Sequence, residues 1–135
     1  MLIKVSVSPK RVKGYESLQE LNGCFFNGAT SHIIHMAYNL HSVSFAVLMV
    51  PSARQQWWGD GNACILKIRC DYANVHYVSY GYCLPVVNEI IIDEWQESVV
   101  VSIKDYADIT CDRIVAKVER IPLTSHDLPI FSYIV

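Results

Sequence analysis

The chain has 135 residues, 52% of them hydrophobic and 18% charged, with a mean hydropathy of +0.23 and a formal net charge of -2. That length fits one domain and is too short for two with proper cores. The acidic balance argues against a generally basic nucleic-acid binder, and no apolar run reaches the roughly 18 residues of a membrane span.

"LIKVSVS" near the start alternates apolar and polar residues with period two, which predicts a half-buried strand. It leads into a basic stretch in which Lys4, Lys10, Arg11 and Lys13 all precede the first acid, Glu16. Such an edge can meet phosphate or be a solvated terminus. "GYESLQELNG" has Leu18 and Leu21 three apart and ends at a glycine, which predicts a two-turn helix. "ATSHIIHMAYN" places Ile33, Ile34 and Ala37 at helical spacing behind Thr30 or Ser31 as cap, which predicts a second short helix. "SVSFAVLMV" is β-branched, aromatic and closed by Pro51, as a buried strand would be. Ala63 to Tyr82 is rich in Val, Ile and Tyr and predicts two strands. "ESVVVSI", "RIVAKVER" and "IFSYIV" are further strands, with "DYADIT" as a turn or short helix between the first two. The expected fold is a single compact α+β domain over residues 1–135, dominated by strands, with two short helices.

The run "MLIKVSVSPKRVK" lacks the apolar block and cleavage site of a signal peptide, so a soluble, cytoplasmic protein with no membrane contact is expected. Five cysteines without CxxC spacing write neither a disulfide framework nor a zinc knuckle, and they predict buried free thiols. His32 and His35 lie three apart, but no third ligand stands at a motif spacing to them, so no metal is expected. "HSVSFA" at His41 echoes "HYVSYG" at His76, and this pairing resembles the motifs of the 2H phosphoesterases. Those motifs place a hydroxyl two residues after each histidine, whereas Val43 and Val78 stand there in this chain. Trp57 and Trp58 are adjacent, with Tyr72, Tyr77, Tyr80 and Tyr82 following. With Arg54, Lys67 and Arg69 they can stack bases and neutralise phosphate, or they pack a core, a protein partner's surface or a homo-oligomer contact.

Three blocks read in order carry a wider resemblance. "GCFFNGATSHIIHMAYN" followed by "FAVLMVPSA", then "GDGNA", then "WQESVVVSIKDYADITCDRIVAKV", is similar to the core of the DarT-type DNA ADP-ribosyltransferases. The resemblance implies a split sheet of the ADP-ribosyltransferase kind, NAD as substrate and a nucleic acid as acceptor. It puts Glu97 at the catalytic glutamate position, where a carboxylate can stabilise the positive charge growing on ribose as nicotinamide leaves. It makes Asp60, Gly61 and Asn62 the family's turn. That family's arginine after the aromatic-Asn stretch, and its early histidine that grips NAD, have no direct counterpart here, so His32, His35 or Arg54 would have to take their place. A non-catalytic binding protein, acting as an inhibitor or a nucleotide sponge, stands as the alternative, with a phosphodiesterase using His41 and His76 as the third.

Overall fold

In the computed structural model, residues 1–24, 26, 31–49, 62–78 and 87–122 are described. Among these residues ten strands form two five-stranded sheets. The first sheet contains β1 (Leu2–Ser6), β6 (Asn74–Val78), β7 (Glu89–Trp95), β8 (Ser98–Ile103) and β9 (Ala107–Cys111), in the order β1-β7-β8-β9-β6. The second contains β2 (Val12–Lys13), β3 (His32–Tyr38), β4 (Ser42–Met49), β5 (Asn62–Asp71) and β10 (Arg113–Pro122), in the order β2-β10-β5-β4-β3. β1 pairs with β7 and β2 with β10 in parallel, and every other pairing is antiparallel.

Period-two alternation explains why these segments are strands and how the sheets meet. On β5, Cys64, Leu66, Ile68 and Cys70 are buried, and on β4 Val43, Phe45, Val47 and Met49 are too. They share one core with Ile90 and Ile92 of β7, Val99, Val101 and Ile103 of β8, and Ile109 of β9. The two sheets therefore pack face to face, and burial of this apolar area is the main stabilising term. Among the described residues one short α-helix, α1 (Tyr15–Gln19), follows a 3-10 turn at Pro9–Arg11 and lies against β10, and its Leu18 together with Leu21 enters the same core. The α1 expectation holds, in a shorter form. Its N-cap, Gly14, has φ +86, and a Cβ there would run into the Ala116 carbonyl oxygen. Only glycine combines that backbone conformation with that approach.

The second expected helix is instead strand β3. Ile33 and Ile34 are adjacent, and the register shifts between Ile33 and His35, which marks a bulge. Ile33 enters the inter-sheet core while Ile34 joins Ala46, Leu48, Ala63 and Ile65 in a separate cluster on the outer face of the second sheet. The bulge puts Ile34 and His35 together on the outer side, so the inward residues Ile33 and Met36 stand three apart, which mimics helical spacing, while the β-branched isoleucines favour the extended form. "DYADIT" contributes a turn at Lys104–Tyr106 but is otherwise strand β9, and the acid-flanked "EIIIDEW" is strand β7. The segment "IFSYIV" lies outside the described residues. Cys24, Cys64, Cys70 and Cys111 are free thiols. Among the described residues no helix is long and apolar enough to cross a membrane.

Candidate functional site

The alternation that sends the even residues of β5 inward sends Lys67, Arg69 and Asp71 outward. Register then decides their neighbours. Val115 of β10 and Ser44 of β4 flank Arg69, while Lys117 and Ala46 flank Lys67. On β2, Lys13 is paired with Val115, and on β3, His35 with Ala46. The outer face of the second sheet is therefore floored by small or apolar Ser44, Ala46 and Val115 and walled by long cationic side chains.

Three adjoining hollows mark this surface. The first, about 420 Å³, is lined by His35, Ser44, Ala46, Lys67, Arg69, Val115 and Lys117 among others. The second, about 400 Å³, brings Lys10, Arg11 and Lys13 to Arg69, Asp71 and Arg113. The third, also about 400 Å³, joins Arg69, Asp71 and Arg113 to His41 and Tyr72. Arg69 lines all three, so they form one continuous surface.

Two carboxylates organise the cations. Asp71 receives the Arg69 Nε at 2.8 Å and the Arg113 Nε at 3.3 Å. Glu119 receives the Nζ of Lys67 at 3.1 Å and of Lys117 at 3.2 Å. The hydrogen bond from Arg69, with Arg113 behind it, holds the Asp71 carboxyl below its ordinary range, and that from Lys67, with Lys117, does the same for Glu119. Both acids thus stay ionised between two cations, and each trio keeps one net positive charge. Exposed pairs of this kind contribute little stability, commonly below about 1 kcal/mol, so their effect is to fix the positions of the cations. Arg11 pairs with Asp112 at 3.2 Å. Lys10, Arg11, Lys13, Lys67, Arg69, Arg113 and Lys117 face Asp71, Glu94, Asp112 and Glu119, and seven cations against four acids leave a surplus of three in a chain whose net charge is -2. The outer face of the first sheet carries Glu89, Asp93 and Asp108, with Lys4 as a single cation among them.

The expected site residues are dispersed. Glu97 is exposed at the two-residue turn between β7 and β8, where it and Gln96 have φ of 66 and 48, the left-handed pair that a tight hairpin uses. It lines none of the three hollows. His35 lies on the outer face of β3, in the first of them. Asn62 opens β5 opposite Pro122. Asp60, Arg54, Trp57, Trp58, Tyr80 and Tyr82 fall outside the described residues. His41 borders the third hollow, whereas His76 sits on β6 of the other sheet with Nε2 2.8 Å from the Thr110 hydroxyl. Among the described residues no group of three or more His, Cys, Asp or Glu side chains is placed to hold a metal ion. Lys67, Arg69 and the early basic residues do converge, apart from Lys4, which is on β1. Arg113 and Lys117 were missed, although the alternation in "RIVAKVER" already puts them on one face. No protein family matches this sequence, and neither a curated protein nor a solved structure is significantly similar to it.

Proposed function

We propose that the protein is a non-catalytic nucleic-acid-binding domain that seats phosphates on the outer face of its second sheet. The observation that carries this reading is the position of Arg69 at the junction of three cationic hollows. Two guanidinium groups, Arg69 and Arg113, offer planar forks that match phosphate geometry. The floor of Ser44, Ala46 and Val115 between them lets a flat ring approach the sheet, a feature that an acidic peptide would leave unused. The acidic outer face of the opposite sheet makes the domain a charge dipole, which orients an approaching polyanion.

Fluorescence anisotropy with a labelled oligonucleotide tests the proposal. The wild type should bind, Arg69→Glu should lose most of the affinity with an unchanged circular dichroism spectrum, and polyglutamate should compete poorly. Failure to bind any oligonucleotide, or equal competition by polyglutamate, would overturn it. The transferase reading, with the two sheets as a split NAD-binding sheet, rests on the sequence blocks and on Glu97. Label transfer from NAD to DNA that disappears in Glu97→Gln would establish it in place of the binder.

A further inference from the structure

We infer that the bound nucleic acid is single-stranded and that one of its bases stacks on Tyr72 at the end of the basic face. This rests on the nucleic-acid reading above and adds the form of the ligand. Among the described residues, four non-glycine residues have positive φ. Gln96, Glu97 and Asp105 are polar residues in hairpin turns, where that conformation is common. Tyr72, at φ 54, is a bulky aromatic, for which it is a real outlier. Glycine would make the same turn without strain, so something other than the backbone accounts for the tyrosine. Strained residues of this kind persist where the surroundings fix them, and they gather at ligand clamps.

The surroundings are explicit. The Tyr72 N–H donates to the His41 carbonyl oxygen at 2.6 Å, tying the residue to the turn between β3 and β4. The residue is 64% exposed. Its ring lies 6.1 Å from the His41 ring with 38° between their planes. Arg69 and Arg113, both held by Asp71, line the same hollow. An open aromatic face beside two fixed guanidinium groups matches one nucleotide, base on the ring and phosphate on the forks. In a duplex the base faces are covered by their neighbours, so only an unpaired base can use such a platform.

Length favours a strand over a lone nucleotide. From Lys67 to Asp71, the end of β5, the strand rises about 13 Å at about 3.3 Å per residue. With stacked nucleotides about 3.4 Å apart, that span accommodates about four of them.

The test compares oligothymidylate with its duplex on oligoadenylate by anisotropy at one salt concentration, for the wild type, Tyr72→Phe, Tyr72→Gly and Arg69→Glu. The wild type should prefer the single strand about tenfold or more. Tyr72→Phe should keep the preference and Tyr72→Gly should lose it, while Tyr72→Gly should be at least as stable as the wild type in urea because glycine adopts φ 54 freely. Arg69→Glu should weaken both ligands. If the wild type binds both forms equally, or Tyr72→Gly keeps the preference, the stacking inference falls and the nucleic-acid reading survives. If no oligonucleotide binds, both fall.

Discussion

Salt dependence gives the sharpest measure of the basic face, because its size follows from a charge count. Each phosphate neutralised on a single strand releases counterions and contributes about -0.7 to the slope of log affinity against log salt. The surplus of three positive charges around Arg69 therefore predicts a slope of about -2.1. Raising salt from about 50 to about 200 mM should weaken binding about twentyfold. Arg69→Glu removes one positive charge and adds a negative one, which cuts the surplus to one, so the same change in salt should cost only about threefold. Lys104→Glu makes the same change in net charge at the turn between β8 and β9 of the other sheet, and it should leave the slope near its original value. Anisotropy titrations at four or five salt concentrations supply all three slopes. Equal slopes for Arg69→Glu and Lys104→Glu would refute the assignment, because the effect would then follow overall charge and owe nothing to this face.

Two further predictions concern the scaffold. Gly14 and Gly23 both have positive φ, 86 and 77, but only at Gly14 would a Cβ meet backbone, since nothing lies within 4 Å of one at Gly23. Alanine at Gly23 should cost about 1–2 kcal/mol for the left-handed conformation alone, and Gly14→Ala distinctly more because α1 must move off β10; equal urea midpoints for the two variants would contradict that account. Burial pushes the Cys64 thiol from 9.0 up to about 12, so as pH rises above about 9 the unfolded chain gives up this proton first and stability is lost from there towards pH 12. At pH 10 the loss is about 1.4 kcal/mol, and the fall in unfolding free energy between pH 7 and pH 10 should be smaller by that amount in Cys64→Ala; an unaltered fall would show that this thiol is not the group responsible.

Most strands were legible, from uninterrupted alternation in "LIKVSVS" and from β-branched, apolar composition in "SVSFAVLMV" and "RIVAKVER". β3 was not legible, since the bulge sets Ile34 and His35 on the same face and leaves the inward residues Ile33 and Met36 three apart, as a helix would. β7 was obscured by its flanking acids, Glu89, Asp93 and Glu94, although Ile90 and Ile92 are completely buried. Part of the basic face showed in the spacing of Lys67 and Arg69. Its junction with Lys10, Arg11 and Lys13 did not, because it depends on the parallel pairing of β2 with β10 and on contacts such as Arg11 with Asp112, 101 residues apart. Glu97 carried no local warning that it would lie in a hairpin turn, since "QE" is not the Asn-Gly or Asp-Gly pair that usually marks one.

Stability and the proposed binding surface are written into the same register. On β5 the even residues Cys64, Leu66, Ile68 and Cys70 fill the core while Lys67 and Arg69 face outward between them. A slip of one residue would place both cations in the core and expose four apolar side chains. Burying unpaired charge costs several kcal/mol per ion, so the hydrophobic core itself forces the cations onto the outer face. β4 and β10 pair with β5 without a register shift along its whole basic stretch, and the bulge of this sheet is confined to edge strand β3. Substitutions on the outer face can therefore alter binding while the fold persists, which is what allows Arg69→Glu and Tyr72→Gly to report on ligand contacts separately from folding.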